Sequence, residues 1–210
     1  MSAEMPADRK RAPARSNAER SESTRAALVV AGRALFAERG YAGVGTEEIV
    51  AAAGVTRGAL YHHFRGGKKD LFRAVAEAVE AEVVQRVAEG ALRGGDPYAA
   101  LEAGADAWLE ACTDPEVQQI TLLDAPAVLG WEEWRELGQR YGLGVLEAAL
   151  VAAMESGALA QAPARPLAHL LLGALDEAGL VVARASDVEP ARAEMSELLR
   201  RLLAGLRAGG

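Results

Sequence analysis

The 210-residue chain reads as an all-α protein, on three observations. Strand signals are almost absent, with no alternating Val/Ile/Thr/Tyr runs and no Asn-Gly hairpin turns. After residue 21 nearly every stretch carries apolar residues at helical spacing. Gly and Pro punctuate those stretches so as to leave about nine helices. Half of the residues are hydrophobic but only 5% are aromatic, so Ala and Leu supply much of the apolar content. The length allows one large domain or two modest ones with a real core.

Residues 1–21 are rich in Ser, Ala, Pro and charge without hydrophobic period, and predict a disordered basic arm. A first helix is expected over 23–39, with Leu28, Ala31 and Leu35 on one stripe and Phe36 beside them. Gly40 ends it as a left-handed C-cap would. After a loop at 41–45, Thr46 is expected to cap a two-turn helix at 47–53, with Glu47 and Glu48 where the helix dipole favours acid. Ala53-Gly54-Val55 is a tight break, and Thr56 caps the next short helix, 57–64. Gly66-Gly67 breaks the chain before a long helix, 68–91, carrying Leu71, Val75, Val79, Val83 and Val87 at steps of four. Gly94-Gly95-Asp96-Pro97 is a boundary. Beyond it, helices are expected near 97–112, 115–129, 131–156, 166–185 and 190–207, with Pro126 kinking or ending the second of these. The last two have broad apolar faces. One holds Leu167, Leu170, Leu171, Ala174, Leu175, Ala178 and Val182; the other holds Met195, Leu198, Leu199, Leu202, Leu203 and Leu206. Such a pair can cover its own core or form a four-helix interface with a second copy.

The formal charge of -7 taken alone argues against a polyanionic partner, but the charge is unevenly spread. Residues 1–75 carry 13 Lys+Arg and 8 Asp+Glu, a net of +5, which leaves -12 on residues 76–210. The first region can approach nucleic acid and the second cannot. Cys112 is the single cysteine, which excludes an internal disulfide framework. The basic start lacks the apolar core of a signal peptide. No apolar stretch is expected to reach the roughly 18 residues of a membrane span. Enzymatic constellations are missing as well. His62 and His63 are adjacent while His169 is remote, so no metal-binding His pair forms. Gly66-Gly67-Lys68-Lys69 lacks the upstream Gly and the Ser/Thr of a phosphate-binding loop, and there is no Gly-x-Ser-x-Gly elbow. Neither a cofactor nor a metal site is expected.

The two short helices and their tight turn have helix-turn-helix dimensions over 45–64, a motif whose second helix enters the major groove. Leu60 and Phe64 face the core with Ile49, Val50 and Leu35. Arg57, Gly58, Tyr61 and His62 fall on another face. An arginine there can pair with guanine O6 and N7 or neutralise a phosphate. Gly58 permits close approach, and Thr46 and Thr56 sit where hydroxyls and free N–H groups bind phosphate oxygens. Tyr61 and His62 can hydrogen-bond phosphates. Lys68 opens the long helix against its dipole, where a phosphate would make the charge useful.

Residues 22–83 resemble the DNA-binding domain of the TetR family of bacterial transcriptional regulators. The resemblance rests on Leu35-Phe36-Ala37-Glu38-Arg39-Gly40-Tyr41, on Thr46 with Ile49, and on Ala53-Gly54-Val55. Gly58, the run from Tyr61 to Phe64, and Lys68 followed by Leu71-Phe72 complete it. It implies DNA contacts by Thr46, Thr56, Arg57, Gly58, Tyr61, His62 and Lys68. Members of the family usually place that lysine three residues after the phenylalanine; here Lys68 is four after Phe64, so one residue is inserted. Val50 stands where many members have Ala. The remainder, 84–210, is similar to effector-binding and dimerisation domains of the family, through Thr121–Trp134 and His169–Ala183. That implies an effector pocket, for which Trp108, Cys112, Leu122, Leu123, Asp124, Trp131, Trp134, Tyr141 and Met154 are candidates. Asp124 stands in an apolar run and needs a partner or a proton. Asp176 and Glu177 suggest an interface salt bridge or a solvent-facing pair. The implied homodimer interface comprises Leu170, Leu171, Leu175, Val182, Leu198, Leu199, Leu202 and Leu206.

The expected protein is thus a cytoplasmic, ligand-responsive homodimeric repressor, bound to a near-palindromic double-stranded operator and released by a small effector. An effector-independent architectural or division-control protein of the same fold is the alternative.

Overall fold

A computed structural model describes residues 17–208. Nine helical runs fill it: α1 Asn17–Arg39, α2 Thr46–Ala52, α3 Arg57–His63, α4 Lys68–Ala91, α5 Pro97–Ala111, α6 at 115–128, α7 at 131–155, α8 Ala164–Arg184 and α9 Val188–Ala204. Among the described residues the only extended pairing is an isolated antiparallel bridge between Leu159 and Arg207. Of the expected arm, residues 1–16 lie outside the described residues, while 17–21 already belong to α1. The buried stripe of α1 is Leu28, Gly32 and Phe36, with Ala31 and Leu35 only half-buried at its side.

Local chemistry explains the punctuation. Gly40 has φ +67 after α1 and Gly54 has φ +65 after α2, the left-handed geometry that a side chain resists. Asp96 accepts from the Ala99 N–H at 2.8 Å and so caps α5, whose first residue is Pro97. Asp114 caps α6 in the same manner. Pro126 does not end α6, which runs on to Val128. A wide π-helical turn over Gln118–Asp124 precedes it and shifts the hydrogen-bond ladder where proline has no N–H to give. A second π turn, Gln139–Leu143, interrupts α7.

Two apolar clusters hold the molecule. The larger joins Leu28 and Phe36 of α1, Ile49, Leu60 and Phe64 of the short helices, and Leu71 to Val83 of α4 to Ile120 and Leu122 of α6. The head (residues up to 83) and the body (residues beyond it) therefore share one core, and α4 crosses the expected boundary at residue 83 unbroken. The smaller cluster gathers Leu101, Leu150, Met154, Leu172 and Leu203 at the far end. One expectation is corrected by α8, which is long and apolar enough to cross a membrane by length and composition. It packs here on α5, α7 and α9, with Asp176 and Glu177 at mid-helix.

The apolar faces of α8 and α9 divide. Leu171, Val182 and Leu199 are buried in the protomer's own core, and Leu175 and Leu206 are packed against it. Those five, expected at a dimer interface, contribute to the protomer's own packing. Leu170, Leu198 and Leu202 stay outside at 73%, 43% and 54% exposure, with Val181 beside them. A face broader than one seam can serve core and surface together, and the sequence period does not separate the two.

Candidate nucleic-acid interface

The second short helix is held from behind and free in front. Leu60 is fully buried and Phe64 nearly so, packed with Ile49, Val50, Leu28 and Phe72. The Ala59 N–H donates to the Thr56 hydroxyl at 3.2 Å, the expected cap. Thr46 does not cap α2. Gly45 occupies that position, and Glu48 accepts its N–H at 2.8 Å while pairing with Arg39. Those contacts hold the Glu48 carboxyl below the usual carboxylate range. Thr46 becomes the first residue of α2, half-buried, with its backbone among the N–H groups free at that end.

Arg57, Gly58, Tyr61 and His62 are all exposed on α3, as the spacing predicts. Arg57 pairs with Glu47 at 2.9 Å, both well exposed, and its guanidinium lies 5.7 Å from the Tyr61 ring centroid. A contact so open to water holds weakly, leaving the guanidinium available to a stronger anion. A Cβ at Gly58 would meet only the Thr56 hydroxyl, at 3.8 Å. Nothing inside the protein demands glycine there, so close external approach remains the physical use for it.

Lys68 departs from expectation. Its ammonium donates to the Tyr41 and Val44 carbonyls at 2.9 Å each and lies 4.0 Å from the Tyr41 ring centroid. Two of its three protons thereby tie down the loop that leads into α2. The extra residue is absorbed by Gly67, at φ 65 and ψ -132, where a Cβ would stand 3.0 Å from Tyr61 Cε1. Asp70 accepts the Gly66 N–H at 2.6 Å and closes the turn. These positioning contacts were missed in the sequence, although Asp70, in the first turn after Gly66-Gly67, carried the one available signal.

The head is wired to the body by polar contacts. Asp124 Oδ2 accepts the Tyr41 N–H at 2.6 Å, so this carboxylate holds the same loop as Lys68. Arg33 of α1 bridges Glu82 of α4 and Glu116 of α6, at 2.7 and 2.8 Å. Arg73 joins Asp70 to Glu133 of α7.

A cavity of about 110 Å³ lies in the body between α4, α5, α7, α8 and α9. Val84, Val87, Gly104, Ala105, Leu171 and Leu172 form much of its wall. Of the expected lining residues only Trp108 takes part. Cys112 is buried where α5 meets Gly179 of α8, and burial pushes its thiol up. Trp134 is a core residue whose indole N–H donates to the Thr121 carbonyl, and Trp131 is 57% exposed. Leu122 and Met154 are core residues, Tyr141 packs on the larger cluster, and Leu123 is half-buried away from the cavity. The space follows small residues on α4 and α5 rather than large aromatics, because room arises where side chains are short. Asp176 faces this cavity and pairs with Arg135 of the same chain at 3.7 Å, whereas Glu177 is exposed.

Residues 28–75 match the family of bacterial regulatory proteins of the tetR type. Residues 98–206, more than half of the chain, match the tetracyclin repressor-like C-terminal domain. The crystal structure of a TetR-family transcriptional regulator from Pectobacterium atrosepticum is 36% identical, with a TM-score of 0.81 over 92% of this chain and 98% of that one. The Transposon Tn10 TetC protein of Escherichia coli is 28% identical over 155 residues, 74% of this chain and 78% of its own length. The HTH-type transcriptional repressor AcnR of Corynebacterium glutamicum is 35% identical over 74 residues, 35% of this chain and 39% of AcnR.

Proposed function

The chain belongs to the TetR family and is a DNA-binding transcriptional regulator rather than an enzyme; from that premise we propose that it is a cytoplasmic homodimeric repressor released from its operator by a small molecule. Two copies of α3, related by two-fold symmetry, read successive major grooves of a near-palindromic site. The observation that carries this reading is the exposed face of Arg57, Gly58, Tyr61 and His62 on a helix whose other face is anchored in the core. Arg57 supplies base or phosphate recognition, Thr56 and Thr46 the hydroxyls at helix N-termini, and Lys68 the shape of the loop between α1 and α2.

The effector occupies the cavity of the body. Release follows if the occupied cavity favours a spacing of the two heads that the operator does not fit, so the free energy is the difference in effector affinity between the two states. Asp124, Arg33 and Arg73 supply rigid contacts through which a shift of α4, α6 or α7 reaches the head. The exposed Leu170, Leu198 and Leu202 supply apolar surface for the partner copy. In a gel shift on the cognate operator, Arg57→Ala weakens binding by about 1–3 kcal/mol while the dimer persists. Unchanged affinity would contradict the role given to α3.

A further inference from the structure

The polar end of the body cavity is acidic and incompletely satisfied. Glu80, on α4, is 9% exposed and lines the cavity with Asp176 of α8. Asp176 has a partner in Arg135 at 3.7 Å. Glu80 has no hydrogen bond or ion pair among the described residues, and no side-chain oxygen is walled off from both solvent and partners. Its carboxyl therefore opens onto the cavity. The remaining wall is largely aliphatic, apart from Trp108. The Trp108 indole N–H is used by the Leu175 carbonyl at 2.9 Å, so what it offers a ligand is π surface. A buried carboxyl without a counter-charge, an aromatic wall and an apolar body together describe a receptor for positive charge on an apolar frame.

We propose that the cavity takes a small organic cation, its ammonium against Glu80 and its apolar frame among the aliphatic residues of α4, α5 and α8. The proposal rests on the effector-pocket reading and names the chemical class of the effector. Asp176 has Arg135 as a partner at 3.7 Å, which leaves Glu80 as the carboxyl without a counter-charge.

The empty site also predicts how binding depends on pH. Burial, and then the neighbouring charge of Asp176, raise the Glu80 carboxyl to about 7. Burial raises Asp176 to about 6, while Arg135 opposes the rise. The Cys112 thiol, at the end of α5, feels both carboxylates and stays protonated. The free site thus keeps a proton on Glu80 below neutrality, and a cation must displace it. Affinity rises with pH through about 7 and levels off above it.

The test uses the full chain and two probes of matched shape, benzylammonium and neutral benzyl alcohol, by calorimetry at pH 6 and pH 8. The expected result is benzylammonium binding at least about tenfold tighter than the alcohol at pH 8, with that advantage falling about tenfold at pH 6. Glu80→Gln should remove both the advantage and its pH dependence, with an unchanged thermal melt reporting an intact fold. Should benzyl alcohol bind as well as the cation at both pH values, the charge assignment is overturned and the pocket survives. If neither probe binds, the pocket reading falls together with the proposal.

Discussion

A lysine at the head of a helix is an electrostatic oddity, because the free N–H groups there are already positive. In this chain the Tyr41 and Val44 carbonyls and the Tyr41 ring compensate Lys68. The loop they secure carries the chain into α2, so the contacts of the lysine bear on the position of the helix pair. Lys68→Met keeps the apolar stem and deletes both bonds, and should lower stability by about 2 kcal/mol in urea unfolding. Operator affinity should fall with it, yet the slope of log K against log salt should stay unchanged. A slope reduced by about 1 would instead mark Lys68 as a phosphate contact. This role was not legible in the sequence, because it depends on a loop twenty-odd residues earlier folding over the start of α4. Asp124 was singled out correctly as a carboxylate in need of a partner, but the partner is a backbone N–H of the head.

At the scale of elements, two glycines of the reading head have opposite reasons to exist. Gly67 is required by the fold, since its φ of 65 with ψ -132 and the Tyr61 ring at 3.0 Å both exclude a side chain. Gly58 faces open space in a helix, where alanine is the better helix former. Gly67→Ala should therefore lower both thermal stability and operator affinity. Gly58→Ala should leave the melting temperature equal or higher and still weaken DNA binding; a Gly58→Ala protein with full operator affinity would show that no close approach occurs there. Helix boundaries were readable because Gly40, Gly54, Thr56, Asp96 and Asp114 are local signals acting on their own backbone. The π turns in α6 and α7 were not, since Gln118–Asp124 has ordinary helical composition and Gly138, Gly142 and Gly144 weaken a helix without specifying a π turn. Most of the cavity's lining was missed for a related reason. Aromatic residues draw the eye, but Trp134 and Met154 fill space, whereas the gap is left by Gly104, Ala105 and their small neighbours around Glu80.

For the whole molecule, charge and core pull in different directions. The charge divides near residue 75 into a basic head and an acidic body, and such a body repels DNA everywhere except at the head. The core does not divide there, because α4 and the larger apolar cluster run through both parts. A displacement in the body thus meets the head through packed side chains as well as through Arg33, Arg73 and Asp124. The partly inward turn of α8 and α9 gives the same two helices contact with the cavity, through Leu171, Leu175 and Leu199, and with the surface that would meet a second copy, through Leu170 and Leu202. Occupancy of the cavity and the angle between two protomers are in that way matters for the same helices. If two copies of α3 read DNA as a symmetric pair, selection of bound duplexes from a random pool will reveal it. Two half-sites related by two-fold symmetry, about 10 base pairs or a multiple of that apart between centres, are predicted, with enrichment lost in Arg57→Ala. An asymmetric motif without repeated half-sites, or enrichment that survives Arg57→Ala unchanged, would contradict it.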